Sequence, residues 1–346
     1  MKTIIWAVAI MLGAFNSSSA QSKQSYIDNK DMTIGSDSCL LSDIRIFYAS
    51  DLYVDTTFYH ETRTAFLNLS EACVMDENSP YFSPEELTKD TIRIDELQKI
   101  RLLKSAGISD TDTIYIYDFG TDSVYTFCVS AFSAIACLNI YAGGSETNDF
   151  LDYEYGLDLG RSYFGTGENL VYVGKTNPFQ TGQLKLMKWR RVAKKKFPVK
   201  MKDSLIRENT NGYYAFDNCK LGAVYKFSNE GLDYYCQEMK LIPPADSVDY
   251  GDNVSARYLV VLDSKNRKVL FEDFYCDDEW GDLTMLNIIG NSKFSAGQYG
   301  VQWTGRIFKG RSPIIYGFKE FSFGCPAIPF VDKKDRPISI LCDNRH

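Results

Sequence analysis

Hydrophobic and polar positions along this chain change rhythm several times, and the changes predict a β-rich protein with one marked helix. Strict alternation over residues 113–117 (Thr-Ile-Tyr-Ile-Tyr) and a second run at 123–129 flank a Gly-containing turn at 118–122, which predicts a hairpin. A second hairpin is expected where 256–262 and 268–275 flank the polar turn 263–267. Shorter apolar runs at 44–48, 170–173, 184–189, 213–216, 223–227, 300–308 and 314–323 also fit strands. Residues 129–142 are apolar enough for a buried helix or strand, and periodicity alone leaves the two open there. Residues 143–170, rich in Gly, Asp and Tyr, are expected as loops.

The helix signal lies at 83–86. Ser83 suits an N-cap, Pro84 is pre-set for the first helical position, and Glu85 and Glu86 suit the positive end of the helix dipole. A helix from there toward Ser105, stopped by Gly107, is the expectation. Ile242-Pro-Pro-Ala-Asp246 carries the strongest linker composition. The expected fold class is therefore α+β and β-rich. An α+β domain over 39–242 holds the capped helix, and an antiparallel β-sandwich-like domain follows over 247–346.

The first twenty residues follow another rule. Lys2 precedes an apolar run at 4–15, and Ser18-Ser19-Ala20 offers a small-residue cleavage site before Gln21. The apolar run has about twelve residues, whereas a membrane span needs roughly twenty. A cleavable export signal over 1–20 is expected, with a polar, flexible segment at 21–38 and a secreted, periplasmic or cell-envelope location. No later stretch has the length and apolarity of a transmembrane span.

Export changes the meaning of the nine cysteines, because disulfides persist outside the reducing cytosol. Nine is odd, so at least one thiol is unpaired or intermolecular. Short-range pairs Cys219–Cys236, Cys325–Cys342 and Cys128–Cys137 are the disulfide candidates. Cys128–Cys137 is the weakest, since its intervening residues suit a core.

Charge and histidine content exclude more than they identify. With 38 basic against 45 acidic residues, the net charge of −7 argues against a nucleic-acid binder. Only His60 and His346 are available, which leaves little for Ser/His or Cys/His catalysis and rules out a three-histidine metal site within one chain. No CxxC or HExxH occurs, and Gly174-Lys175-Thr176 lacks the earlier glycine of a phosphate loop.

Carboxylates remain as the acid/base resource. Asp277-Asp278-Glu279-Trp280-Gly281-Asp282 is the densest cluster, and Asp277, Asp278, Glu279, Trp280 and Asp282 are the candidate binding residues. Their hard oxygens suit Ca²⁺, the one candidate cofactor, without EF-hand spacing, or an acid/base pair beside an aromatic sugar platform. Asp149, Asp152, Glu154 and Asp158 interleave with Phe150, Tyr153 and Tyr155 in a second acidic–aromatic patch. A basic run from Lys185 to Lys202 could contact anionic surfaces. Asn68-Leu-Ser70 and Asn253-Val-Ser255 fit the glycosylation sequon.

With 23 Tyr and 22 Phe and no catalytic signature, the favoured reading is a non-enzymatic exported protein that binds a glycan, envelope component or protein partner. A glycan hydrolase with paired carboxylates is the alternative, and thiol exchange by the odd cysteine is the third.

Overall fold

The computed structural model describes residues 44–54, 62–72, 82–139, 142, 148–160, 162–163, 168–243, 254–291, 301–322 and 324–342. The leader at 1–20, the segment at 21–38, His60 and His346 lie outside the described residues, as do Cys39, Cys73 and Asn253.

The first half of the chain builds two sheets that exchange strands. In order come β1 (Ile46–Phe47), β2 (Ala49–Val54), β3 (Thr62–Asn68) and β4 (Thr91–Arg93). Helix α1 (Glu96–Ser105) follows, then β5 (Thr113–Asp118), β6 (Ser123–Cys128) and β7 (Ser133–Leu138). β8 (Tyr153–Gly160) and β9 (Asn169–Gly174) complete this half. One sheet has the order β2-β3-β8-β7-β4, and β1, β9, β5 and β6 lie in the other.

A first core fills the space between them. Alternation aims Ile114 and Ile116 of β5 and Tyr153, Tyr155, Leu157 and Leu159 of β8 into it, with Leu102 and Leu103 of α1 beside them. Burying each such side chain contributes about 1.5–3 kcal/mol.

The next stretch forms β10 (Lys185–Leu186), β11 (Arg190–Val192), α2 (Asp203–Asn209), β12 (Cys219–Asn229) and β13 (Leu232–Leu241). β14 (Val254–Asp263) and β15 (Val269–Cys276) extend the antiparallel sheet β11-β12-β13-β14-β15. Both of its faces are covered. Tyr258 and Val260 pack with Ile206 of α2, while Leu259 and Val261 pack with Trp189 and Phe318. This explains the unbroken apolar run in β14, which a half-exposed strand would interrupt with polar residues.

Four short strands follow: β16 (Gly281–Leu283), β17 (Trp303–Gly305), β18 (Ile314–Tyr316) and β19 (Lys319–Phe321). β10, β17 and β18 form one small sheet and β16 with β19 another. The chain then returns through β20 (Ala327–Ile328) and β21 (Ile338–Leu341), and β21 lies parallel to β1. The second sheet thus reads β20-β21-β1-β9-β5-β6.

The β-rich α+β class is observed, with two α-helices among the described residues and mainly antiparallel sheets. Strand pairing spans the proline-rich segment. β13 and β14 are hydrogen-bonded neighbours from Leu241↔Val254 to Leu232↔Asp263, so the boundary expected at 242–247 falls between paired strands. Residues 42–346 group as one compact unit.

The expected helix from Ser83 is divided. A 3₁₀ turn covers Glu86–Thr88, β4 pairs with β7, and α1 starts after Asp95. Asp95 accepts from the Gln98 amide in a capping box, and Gly107 ends the helix with φ +70°. Pairing of Thr91-Ile-Arg93 with Ile135–Cys137 overrides helical continuity there. The loop expected over 143–170 contains β8, a central strand whose inward positions are two tyrosines and two leucines.

Of the candidate disulfides, Cys325–Cys342 is formed. Cys219 and Cys236 are unbonded, because Cys219 pairs in register with Leu241 while Cys236 faces Tyr225 on the neighbouring strand. Cys128 and Cys137 are also free, on the separate strands β6 and β7.

Candidate functional site

The acidic segment after β15 is a hydrogen-bonded turn. Asp277 Oδ1 accepts from the Leu283 amide at 2.7 Å, and Asp278 Oδ1 accepts from the Trp280 amide at 2.9 Å and from the Lys319 ammonium. Backbone bonds between Asp278 and Gly281 close the turn. Trp280 is half exposed. Among the described residues, no group of three His, Cys, Asp or Glu side chains is placed to hold a metal ion. Asp277 and Asp278 therefore spend their acceptors on the chain itself, and Asp282 is the carboxylate that faces outward from β16.

The other sequence motifs also have structural partners. Tyr153 and Tyr155 belong to the core, Asp149 caps a 3₁₀ turn, and Glu154 accepts from Asn68 and Asn139. Asn68 is further tied to the Ser70 amide. Lys175 pairs with Asp112 at 2.8 Å, so the Gly-Lys-Thr segment is a turn closed by an ion pair. Lys202 pairs with Glu272, whereas Lys194, Lys195 and Lys196 stand exposed on a 3₁₀ turn.

Burial pushes the thiols of Cys137 and Cys236 up to about 12 and those of Cys219 and Cys276 to about 11. A buried thiol held protonated is a poor nucleophile, which weakens thiol exchange at these four positions.

A different constellation gathers functional groups from four parts of the fold. Glu168 directly precedes β9, and its carbonyl accepts from the Phe119 amide at 3.1 Å. Trp303 opens β17 and Tyr316 closes β18, and the two are directly opposed in register. The indole Nε1 of Trp303 donates to Glu168 Oε2 at 3.1 Å. Tyr48, between β1 and β2, shares a 2.5 Å hydroxyl–hydroxyl hydrogen bond with Tyr316. Phe119 stacks on Tyr316 with centroids 4.9 Å apart and lies 6.0 Å from Trp303. Phe119 is buried, whereas Tyr48, Glu168, Trp303 and Tyr316 each keep partial exposure.

The electrostatics of this centre favour neutral groups. Burial pushes the Glu168 carboxyl up to about 7, the Trp303 hydrogen bond opposes this, and the negative charge of Glu320 adds to it. Burial likewise holds the Tyr48 hydroxyl up to about 12 and that of Tyr316 well above its usual value. Near neutral pH the site thus presents a carboxyl poised between its two forms beside two phenol hydroxyls.

Glu320 connects this centre to the acidic turn. In the β16–β19 pair it lies directly opposite Asp282, and both side chains are exposed. Of the residues singled out in sequence, Asp282 is the one that lies opposite Glu320. Glu168 itself went unseen because it sits outside any acidic run, and its partners lie more than a hundred residues away. The excess of tyrosine was the signal available, without a way to choose among 23 of them.

The chain matches no protein-family model, and no curated protein or solved structure is significantly similar to it.

Proposed function

We propose that this is an exported glycan-binding protein and that Tyr48, Glu168, Trp303 and Tyr316 form its contact site. The observation that carries this reading is the convergence of three partly exposed aromatic side chains on one partly buried carboxyl. Sugar rings present apolar C–H faces that pack on aromatic surfaces, and hydroxyl groups that bond to a carboxyl or phenol. The lack of a histidine-based apparatus supports binding over catalysis.

A glycan array probed with the wild type, Glu168→Gln and Trp303→Phe tests it. Both substitutions preserve size, and circular dichroism checks their folding. Binding of a discrete glycan set by the wild type, weakened about tenfold or more in each variant, is expected. No bound glycan, or binding unaffected by both substitutions, overturns the reading.

One observation favours hydrolysis as a second reading: the charge of Glu320 acts on Glu168. A carboxyl whose affinity for protons is raised by burial suits a general acid, and a second carboxylate near it suits a base. Glu168 would protonate the leaving glycosidic oxygen while Glu320 takes a proton from the attacking water. Release of reducing ends from a bound glycan, abolished in Glu320→Gln with binding retained, separates hydrolysis from binding alone.

A further inference from the structure

We propose that a groove of about 610 Å³, which shares no lining residue with the Glu168 centre, binds an acidic polysaccharide. It lies between the β12–β13 and β14–β15 turns on one side and the 306–334 region on the other. Its charged lining comprises Lys268, Arg306, Lys333 and Lys334 against Glu230 and Asp332.

The neighbouring cations already have carboxylate partners. Lys226 and Arg267 both pair with Asp233, at 2.8 and 2.7 Å, and Arg311 pairs with Asp335 at 3.3 Å. Among the described residues, Lys268, Arg306, Lys333 and Lys334 are each exposed and enter no ion pair, while the charge of Lys333 also acts on the Asp273 carboxyl. Asp332 already accepts from the Lys334 amide at 3.0 Å, so part of its acceptor capacity is spent within its own turn. A cationic groove on a chain of net charge −7 is a local reversal, and it focuses attraction for an anion at one place.

The four cations come from three separate segments of the chain. Several cationic side chains lining one groove suit a polymer that carries repeated negative charges. Leu270 and Val331 supply an apolar floor for the C–H faces of sugar rings. This site uses none of the Glu168 centre, so either can fail without the other.

Isothermal titration calorimetry with dextran sulfate, unsulfated dextran and phosphatidylglycerol vesicles tests the proposal. The variants are Lys268→Glu/Lys334→Glu in the groove and Lys195→Glu/Lys196→Glu on the rival basic turn. Dextran sulfate is expected to bind the wild type, more weakly as salt rises, with unsulfated dextran and vesicles silent. The groove variant should lose about tenfold or more in affinity, and the rival variant should match the wild type. No binding of dextran sulfate, binding preferentially to vesicles, or loss confined to the Lys195/Lys196 variant overturns it. Both substitutions in each pair replace exposed side chains, and far-ultraviolet circular dichroism confirms that they leave the fold intact.

Discussion

The side-chain amide of Asn169 clasps the backbone of Ala49 from both sides, accepting from its N–H and donating to its carbonyl, each at 2.8 Å. Both bonds are buried. Because Glu168 precedes Asn169 and Tyr48 precedes Ala49, this clasp sets the two functional side chains on adjoining strands. Asn169→Leu fills the space and leaves two buried backbone groups without partners. Urea unfolding should show a loss of about 2–4 kcal/mol, well above the ordinary cost of a surface substitution.

The raised Glu168 carboxyl makes stability depend on pH in a set direction. Its folded-state affinity for protons exceeds its unfolded one, so its contribution is fully present below about 4.5 and is lost as pH rises through about 7. Glu168→Gln keeps an acceptor for Trp303 and removes the charge. The variant should match the wild type near pH 4.5 and exceed it at pH 8 by about 1–3 kcal/mol, after allowance for partial solvent exposure. Paired urea titrations at the two pH values measure the difference. A wild type that is the more stable at pH 8 would contradict the burial assigned to this carboxyl.

Cys325–Cys342 ties β20 to the end of β21, the strand that returns to lie against β1. Replacing Cys342 with Ser should destabilise the protein by about 2–4 kcal/mol. Non-reducing peptide mapping should recover this pair, while Cys128, Cys137, Cys219, Cys236 and Cys276 alkylate once the chain is unfolded.

Gly317 holds Tyr316 in place through a backbone position that no other residue fills well. Its φ is +80°, and an added Cβ would lie 2.0 Å from the Val301 carbonyl oxygen. Its own carbonyl accepts from the Thr284 hydroxyl. Gly317→Ala should cost roughly 2 kcal/mol or more and disturb the Tyr48–Tyr316 bond. Thermal unfolding gives the stability change, and binding to a glycan identified on the array gives the effect on the site.

Local structure was legible in the chain wherever alternation and turn residues agreed. The β5–β6 and β14–β15 hairpins lie where Ile114 and Ile116, or Tyr258 to Leu262, predicted them. The course of the helix was misread because Ser83, Pro84 and Glu86 do form a capped turn, yet strand pairing by Thr91–Arg93 interrupts it. β8 was hidden by its Gly and Asp residues, which occupy outward or closely packed positions while Tyr153 and Tyr155 face the core. The pairing of β13 with β14 across the proline-rich segment depends on longer-range information. Prolines near 243 mark a break in local structure, but the register joining β13 to β14 is set by both strands together. Glu168 depends on the same kind of information: its character comes from Trp303 and Glu320, which no local pattern connects to it.

Carboxyl ¹³C NMR of Glu168, followed through a pH titration in the wild type and in Glu320→Gln, reads the state of this centre most directly. A midpoint near 7 in the wild type, lowered when the Glu320 charge is removed, is the expected result. A midpoint in the ordinary carboxylate range, unchanged by Glu320→Gln, would contradict a partly buried acid at the heart of the site.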